Sequence, residues 1–355
     1  MPTSNTAASK VWQADILTED DLEERLSRPT PELVQDLAAI PGDVLILGVG
    51  GKMGPSLARM AKRALLAAGQ PERRVLGVAR FTEPGLQERL RAYGVETFAC
   101  DLLDPVQFDA LPQCANVIYM AARKFGATGN EPLTWAVNTY LPGRVAERFA
   151  HSRIVCFSTG NVYPFLPPAS GGATEDVAPA PIGEYAQSCL GRERLIQHFS
   201  AARRTAATIL RLNYAVELRY GVLRDLADVV LRGEPVSMAM GSVNVIWQAD
   251  ANDIALRALR LATSPPTVLN VTGAETLSVR WLVQRLAQLM NMAPPALLGE
   301  EAPTALLSNA ARCHRLLGPP KVQIEQILRW VAHWAAAGGR GLSKPTRFQV
   351  RDGRF

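Results

Sequence analysis

The stretch VLILGVGGKMGPSLARMAKRA, residues 44–64, guides the interpretation of the whole sequence. Four apolar residues typical of a buried strand lead directly into a glycine-rich turn, and a helical pattern follows. Glycines let a phosphate group approach the backbone because no Cβ blocks it, and the free N–H groups at a helix start bind anions. A Walker A loop is excluded because Lys52 is followed by Met53. The segment therefore predicts a dinucleotide-binding turn in the first strand–helix unit.

Short apolar runs alternate with helical patterns along most of the chain. Strands are predicted at residues 44–47, 75–79, 95–99, 116–121, 154–158, 207–212, 243–247 and 268–271. Helices are predicted at residues 55–68, 135–149, 186–199, 221–232, 251–262, 278–291, 304–316 and 322–337. Continuous apolar strands separated by helices indicate a parallel sheet covered on both faces. The predicted fold class is α/β, a Rossmann-type doubly wound parallel sheet with a smaller, mainly helical C-terminal substrate lobe.

The predicted domain organisation has four regions. They are an acidic leader with short helices at residues 1–42, a Rossmann domain at 43–212, a substrate lobe at 213–337 in which residues 243–272 return to the sheet, and a basic tail at 338–355. The first ten residues are expected to be unstructured. Thr30-Pro31-Glu32 predicts a helix start, with a cap, a proline and an acid, and this helix is expected to end near Ala39.

Composition excludes several classes of protein. With 48% hydrophobic residues the chain is too apolar to be disordered, yet it lacks the run of about 20 apolar residues that a membrane span needs. The N-terminus does not resemble a signal peptide, so we expect a cytoplasmic protein without a membrane partner. The five cysteines show neither a disulfide framework nor zinc-site spacing, and no metal is expected.

Charge favours a small anionic ligand over nucleic acid. The chain has 38 basic and 33 acidic residues, giving a net charge of +5. A nucleic-acid surface would combine a basic cluster with aromatic residues, but only 6% of the residues are aromatic. We therefore expect a small-molecule substrate and no nucleic-acid partner, and a homodimer remains an open possibility.

Further motifs follow the glycine turn in a fixed order. These are Asp101-Leu102, Ala121-Ala122, Asn138, the segment FSTGNVY at residues 157–163 and Tyr185. Together with the spacing Gly48-x-x-Gly51-x-x-Gly54, they resemble the extended short-chain dehydrogenase/reductase family, also called the NAD-dependent epimerase/dehydratase family. The resemblance covers roughly residues 43–335. It implies a cofactor site that contains Gly48, Gly51, Lys52, Met53, Gly54, Asp101, Leu102, Ala121, Ala122, Lys124 and Asn138.

The end of the second predicted strand bears on the choice of cofactor. Family members that prefer NAD usually carry an acid there, which binds the adenosine ribose. This chain has Ala79-Arg80 instead, with no carboxylate before Glu83. Because a guanidinium offers a planar fork of donors to a 2′-phosphate, NADP is expected to be preferred, with NAD as the alternative. Arg80 could also be an ordinary solvated arginine.

The resemblance also implies a catalytic pair. Thr159 would hydrogen-bond the reacting oxygen of the substrate, and Tyr185 would be the acid/base. In the family a lysine four residues after the tyrosine lowers its pKa, but this chain has Cys189 there. Three alternatives follow: catalysis is lost, another cation such as Lys124 substitutes, or Tyr185 acts unassisted. Lys124 could instead bind only the cofactor phosphates or be a solvated loop residue.

The sequence indicates the substrate-binding residues less clearly than the cofactor site. Asn213, Arg219 and Arg224 are candidates for contacting a sugar or an anionic group, although both arginines could simply be exposed. The Pro/Gly-rich segment 164–181 is expected to form a lid over the site. Gly160 and Asn161 replace the acid pair of the family's sugar dehydratases, which argues against that reaction. The predicted function is an NAD(P)-dependent oxidoreductase or epimerase acting on a sugar, nucleotide sugar or similar polyol. The alternative is a non-catalytic NADP-binding sensor or partner protein.

Overall fold

A computed structural model describes residues 15–124 and 126–354. The first ten residues, predicted to be unstructured, lie outside the described residues. The strands are β1 (Val44–Leu47), β2 (Val75–Ala79), β3 (Glu96–Ala99), β4 (Asn116–Tyr119), β5 (Arg153–Thr159), β6 (Ala207–Leu212), β7 (Ala215–Val216), β8 (Val236–Ser237), β9 (Ser242–Val243), β10 (Ile246–Trp247), β11 (Thr267–Val271), β12 (Leu277–Ser278) and β13 (Leu297–Leu298).

Helices separate most of these strands. The α-helices are α1 (Glu19–Leu26), α2 (Pro31–Ala39), α3 (Gly54–Ala67), α4 (Leu86–Ala92), α5 (Pro105–Asp109), α6 (Glu131–Trp135), α7 (Leu141–Arg148), α8 (Gly183–Arg203), α9 (Val222–Arg232), α10 (Gln248–Arg257), α11 (Val279–Leu289), α12 (Ala311–Leu317) and α13 (Ile324–Ala336). A π-helical turn at Ala136–Tyr140 joins α6 to α7. Within the described residues, no helix is long and apolar enough to cross a membrane.

Seven strands form one parallel sheet in the order β11-β6-β5-β4-β1-β2-β3. In β1, Val44 lies opposite Val75 of β2 and Asn116 of β4. The predicted doubly wound sheet is therefore confirmed. The strand order reverses between β1 and β4, since β2 and β3 lie on one side of β1 and β4, β5 and β6 on the other. In sheets of this kind, ligands bind at such a point, outside the carboxyl ends of the strands.

Most of the sheet is buried on both faces, because its strands other than the edge strand β3 are mainly apolar. Side chains alternate along β1, so Val44 and Ile46 join the larger core with α3 and α10, whereas Leu45 and Leu47 join the smaller core with α5, α7 and α8. The helical lobe contributes α9, α11 and α13 to the larger core. One continuous core thus ties the lobe to the sheet.

The acidic leader forms two capped helices. Thr30 accepts a hydrogen bond from the Leu33 backbone N–H at 3.1 Å, and Pro31 begins α2, which ends at Ala39 as predicted. Leu22 and Leu37 are fully buried, and they join the core with α3 and α10. The apolar faces of α1 and α2 thus extend the layer of helices on this side of the sheet.

The predicted strand at residues 243–247 is wrong as a member of the main sheet. Two short strands lie there instead, since β9 pairs with β12 and β10 pairs with β7. Asn244 separates them because its side chain donates to Glu275 O at 2.9 Å and accepts from Ser308 N at 2.8 Å. Of the region predicted to return to the sheet, only β11 does so.

The predicted helix at residues 304–316 is shorter than expected, and the lid prediction also needs correction. Residues 305–309 are extended and pair with the 164–181 segment, through Leu166 with Ala305 and Ala173 with Ser308. Helix α12 begins only at Ala311. The Pro/Gly-rich segment therefore packs on this extended stretch, and it contributes no residue to the walls of the cavities described below.

The basic tail packs over the lobe and reaches the start of α8. The Leu342 N–H donates to Arg219 O at 2.9 Å, and the Thr346 hydroxyl donates to Asp225 at 2.6 Å. A Cβ on Gly183 would lie 2.7 Å from Gly353 O, so glycine at this position lets the tail approach the first residue of α8 closely. The tail is thus part of the folded body.

Candidate active site

Two cavities meet at the carboxyl ends of the sheet strands. The larger has a volume of about 990 Å³ and the smaller about 490 Å³. Both are lined by Gly50 and Gly51 of the glycine turn, and by Met120, Ala122 and Lys124 after β4. A ligand spanning both cavities would cross the glycine turn, which is where the strand order reverses.

The glycine turn has the geometry that a dinucleotide requires. Gly48 has φ +94°, and a Cβ there would lie 2.6 Å from the backbone N of Ala121. A Cβ on Gly54 would lie 2.1 Å from Val49 O, so this glycine allows α3 to start against the turn. On Gly51 the nearest atom to a Cβ would be Gly48 O at 3.5 Å, which leaves its cavity side open. These residues fit a pyrophosphate at the start of α3.

The residues predicted to bind the adenosine half of a cofactor line the smaller cavity. Arg80 and Asp101 line it at the ends of β2 and β3, and Leu102 and Ala121 complete its wall. The carboxylate of Asp101 accepts the Leu103 N–H at 3.0 Å, which holds the chain after β3 in a turn. Polar and apolar groups thus surround a space suited to a nucleoside.

Thr159 and Tyr185 both face the larger cavity. Thr159 is the last residue of β5, and its hydroxyl accepts hydrogen bonds from the Asn161 backbone at 3.2 Å and side chain at 2.9 Å. Tyr185 lies in the first turn of α8 and is 8% exposed. Burial raises the pKa of Tyr185 strongly, while the charge of Arg192 and a hydrogen bond with Thr159 act in the opposite direction. A hydroxyl and a phenol therefore share one wall of the cavity.

Helix α8 is fastened to the sheet by a buried ion pair. Arg211 of β6 lies 2.7 Å from Glu193 of α8, and Ser158 donates to the same carboxylate at 2.5 Å. The Tyr163 hydroxyl accepts a hydrogen bond from Arg211 at 2.6 Å and donates to Asn270 at 2.8 Å. These contacts set the orientation of the helix that carries Tyr185.

Cys189 is a neutral group inside α8. Its side chain is fully buried, and burial raises the pKa of the thiol. It lies one turn after Tyr185 and packs with it in one apolar cluster. A protonated thiol supplies neither positive charge nor a thiolate nucleophile, so Cys189 itself offers no electrostatic help to the tyrosine.

Two lysines enter the larger cavity from the glycine turn and from the loop after β4. Lys124 Nζ lies 5.7 Å from the ring centroid of Tyr185, and burial lowers the pKa of Lys124 to about 8. Lys52 Nζ lies 3.0 Å from the ring centroid of Tyr220. Burial, followed by the charges of Lys344 and Lys124, lowers the pKa of Lys52 to about 7. This concentration of positive charge favours an anionic ligand.

Asn138 lies beneath the site and does not line either cavity. Its side chain accepts the Arg123 N–H at 2.9 Å and donates to Arg123 O at 2.9 Å, which fixes the loop that carries Lys124. It also donates to the Ser188 hydroxyl at 3.0 Å. The predicted direct contact with the cofactor is therefore corrected to a positioning role between this loop and α8.

The three predicted substrate residues differ in their positions. Asn213 and Arg219 line the larger cavity, but Arg219 is already paired with Glu23 at 2.8 Å and with Glu217 at 3.2 Å. Arg224 points away from the cavity, since it donates to Asp228 at 2.9 Å and to Gly339 O at 3.1 Å. Its predicted substrate contact is corrected because its guanidinium holds the tail against α9.

The remaining predicted site residues can be placed in the same way. Gly48, Gly51, Lys52, Met53, Arg80, Asp101, Leu102, Ala121, Ala122, Lys124, Thr159 and Tyr185 all line at least one of the two cavities. Gly54 lies behind the turn and serves the packing of α3. Sequence reasoning thus located the glycine turn and the cavity wall that carries Thr159 and Tyr185.

Sequence reasoning missed the contributions of the two termini and of Arg192. Glu19 and Glu23 from α1 line the larger cavity, as do Lys344 and Arg347 from the tail. These residues were missed because they lie far from the motifs in the sequence. The opposite charges of the leader and the tail were a signal that could have pointed to them. Arg192 lines the same cavity although it is 2% exposed. Its spacing of seven residues from Tyr185 on a helix could have revealed it.

Residues 44–216 match the NAD dependent epimerase/dehydratase family. This segment, which contains the glycine turn, Thr159 and Tyr185, belongs to that family. The protein is accordingly an enzyme of the NAD-dependent epimerase/dehydratase kind, built on the nucleotide-binding Rossmann fold described above. A comparison with curated protein sequences finds no significant match.

Several solved structures share this fold. MoeE5 in complex with UDP-glucose and NAD is 23% identical with a TM-score of 0.66, and the match covers 84% of this chain and 99% of MoeE5. The UDP-glucose 4-epimerase of Thermotoga maritima with UDP-glucose is 17% identical with a TM-score of 0.68, covering 83% and 99%. The UDP-glucuronic acid 4-epimerase of Bacillus cereus with NAD is 18% identical with a TM-score of 0.67, covering 82% and 96%.

Proposed function

We propose that this enzyme epimerises or oxidises a sugar hydroxyl of a nucleotide sugar with a nicotinamide dinucleotide cofactor. One observation carries the proposal: Thr159 and Tyr185 face the cavity that joins the glycine turn. The fold of the chain is shared with proteins whose structures hold UDP-glucose, UDP-glucuronic acid and NAD. The dinucleotide would span both cavities across that turn, and the sugar would lie beside its nicotinamide in the larger cavity, at Thr159 and Tyr185.

The cofactor would lie across the glycine turn. Gly51 and Met53 would bind its pyrophosphate at the start of α3, and Asp101 and Leu102 would face its adenosine. When bound, a nicotinamide supplies hydride transfer. Lys124 lines both cavities, so its ammonium is available to the phosphates or to the nicotinamide side.

The chain's own residues would handle the proton. Tyr185 would take the proton of the substrate hydroxyl as a carbonyl forms, and return it when the carbonyl is reduced. Thr159 would hydrogen-bond the same oxygen from the end of β5. Because Tyr185 is buried, its protonation state responds strongly to neighbouring charge, which gives the surrounding cations a direct influence on this step.

The positive groups of the larger cavity support a diphosphate substrate. Lys52, Arg219, Lys344 and Arg347 line it. The pKa of Lys52 is lowered to about 7, and a bound phosphate would favour its charged form. Glu19 and Glu23 line the same cavity beside Arg219, and their carboxylates could accept hydrogen bonds from sugar hydroxyls. A sugar diphosphate presents both kinds of group.

We infer a preference for NADP from Arg80. It lies at the end of β2 on the wall of the smaller cavity, where a guanidinium can bind a 2′-phosphate. The nearest carboxylate on this loop, Glu83, also lines this cavity. Glu83 is bound to Arg89 at 3.2 Å, so its carboxylate is already engaged.

Thermal shift and turnover together test the proposed function. The protein is heated with NADPH, NADH, UDP-glucose and UDP-glucuronic acid, because a ligand of the native state raises its stability. Each nucleotide sugar is then incubated with NAD⁺ or NADP⁺, and the products are separated by ion-pair chromatography. Stabilisation by a cofactor and by a sugar nucleotide, with a new epimer or reduced cofactor formed, is expected. Cofactor binding without turnover of any sugar nucleotide would instead favour a non-catalytic NADP-binding sensor.

A further inference from the structure

Arg192 is a buried charge without a carboxylate partner among residues 15–124 and 126–354. Its guanidinium donates to Phe157 O at 2.5 Å, to the side-chain oxygen of Asn138 at 3.0 Å and to Asn138 O at 3.1 Å. All three acceptors are neutral. The adjacent Glu193 is bound to Arg211. Burying a charge without a counter-ion is unfavourable for stability. A functional role would explain why the charge is present.

The groups around this charge include the acid/base candidate. Arg192 lies seven residues after Tyr185 on α8, so the two side chains share a helix face. Both line the larger cavity. The positive charge lowers the pKa of Tyr185, and it acts in the same direction on the thiols of Cys189 and Cys156 and on Tyr119, whose ring centroid is 5.7 Å away.

Other polar groups face Tyr185 from the neighbouring elements. Thr159 approaches from β5 and Cys189 from the tyrosine's own helix, and both are uncharged. Tyr163 packs in the same apolar cluster, and its hydroxyl is engaged by Arg211. Lys124 approaches from the loop after β4, but its pKa is lowered to about 8, so its charge is lost progressively as the pH rises through that value. A guanidinium keeps its charge at every such pH.

We infer that Arg192 supplies the permanent positive charge that favours the phenolate of Tyr185. This inference rests on the proposed function, in which the phenolate oxygen accepts the proton of the substrate hydroxyl. Arg192 is a positioning residue in this role, because it acts through Tyr185 and its own hydrogen bonds go to Asn138 and Phe157. Relocation of the charge to residue 192 also explains how a neutral thiol is tolerated at Cys189.

Three variants separate charge from structure. Arg192→Gln keeps hydrogen-bond donors toward Asn138 and Phe157 but removes the charge. Arg192→Lys keeps the charge with a poorer fork of donors. The double variant Arg192→Gln/Cys189→Lys moves the charge one turn closer to Tyr185. Circular dichroism and thermal melts establish that each variant is folded, and Lys321→Met, at a surface ion pair with Glu32, is the matched control.

The first readout needs no substrate. Tyr185 is replaced by 3,5-difluorotyrosine, a more acidic phenol, and its ionisation is followed by ¹⁹F NMR in the protein saturated with NADPH. Arg192→Gln is expected to raise the ionisation midpoint by at least one pH unit. Arg192→Lys, the double variant and the Lys321→Met control should stay within half a unit of the parent, or below it. Equal midpoints in the parent and Arg192→Gln would overturn the inference.

The second readout is the pH–rate profile with the nucleotide sugar that turns over. Arg192→Gln should lower kcat at pH 7 at least tenfold and move the acidic, ascending limb of the profile to higher pH, because the phenolate is the active form, and the double variant should reverse both changes. If Arg192→Gln does not fold, the inference is tested with Arg192→Lys and the double variant, which both keep a positive charge. A pH–rate profile shifted by a full unit to higher pH in either variant would contradict the inference. A midpoint shift without turnover of any sugar would support Arg192 and reject the proposed function.

Discussion

The two cavities are assembled in different ways. All residues that line the smaller cavity lie between Gly48 and Leu141, at strand ends in the first half of the sheet and on the helices that follow them. The larger cavity takes its walls from Glu19 to Arg347, including α1 and the basic tail. Binding in the smaller cavity should therefore depend on local motifs. Binding and chemistry in the larger cavity should depend on segments that only the complete fold brings together.

The largest expected effect is on chemistry in the larger cavity. Tyr185→Phe should lower turnover of the active nucleotide sugar by about 10²–10⁴ because general acid/base catalysis of this size is lost. NADPH affinity, measured by fluorescence titration, should change less than threefold. Tyr140→Phe, at a 58% exposed tyrosine, is the control and should retain full activity. Wild-type turnover in Tyr185→Phe would eliminate the tyrosine mechanism.

A matched pair of glycine substitutions separates binding from folding at the turn. Gly51→Val should weaken NADPH binding about a hundredfold or more, because its Cβ would project into the open cradle and charge-assisted hydrogen bonds are worth about 1.5–3 kcal/mol each. Gly54→Ala would instead press against Val49 O and destabilise the protein by about 1–3 kcal/mol. Calorimetric titration and chemical denaturation measure the two effects. Unchanged affinity in Gly51→Val would refute the glycine-turn assignment.

Arg80→Ala tests whether the smaller cavity discriminates between cofactors. The variant should lose most of an NADPH preference worth about 1.5–3 kcal/mol, with NADH affinity unaffected. Arg91→Ala removes an exposed arginine that lines neither cavity and serves as the control. Isothermal titration with both cofactors gives the ratio. A wild-type protein that binds NADPH and NADH equally would contradict the role of Arg80.

The smallest expected effect concerns pH and the basic tail. Lys52 is protonated below its pKa of about 7, so affinity for UDP-glucose should fall as the pH rises through that value. Lys344→Met removes a charge that lowers the pKa of Lys52, so the fall should move to higher pH. At pH 6 the variant should bind about twofold to fivefold more weakly, in keeping with an exposed charge pair. Titrations with UDP-glucose from pH 6 to pH 9 check the shift. An unchanged midpoint would contradict an influence of Lys344 on substrate binding.

The accuracy of the sequence predictions differs between regular elements and connections. The seven strands of the main sheet were found because buried parallel strands are continuous apolar runs. Helix α2 was found because Thr30 and Pro31 form a local start signal. The strand at residues 243–247 was mispredicted, since an apolar run does not reveal that Asn244 is needed elsewhere, at Glu275 and Ser308. The lid prediction was wrong for a similar reason. The extended stretch that pairs with residues 164–181 lies more than a hundred residues further along the chain.

The sequence by itself determined the Rossmann-type sheet, the glycine turn and the candidate pair Thr159 and Tyr185. These depend on short-range rules: strand and helix periodicity, glycine at close approaches, and residue types at strand ends. Only the tertiary structure decided that Asn138 fastens a loop, that Arg224 points away from the site and that the termini line the larger cavity. It also decided that a buried arginine stands near a tyrosine whose usual lysine neighbour is absent. Such facts depend on which distant segments pack together, and electrostatic effects follow that packing because burial strengthens every charge within reach.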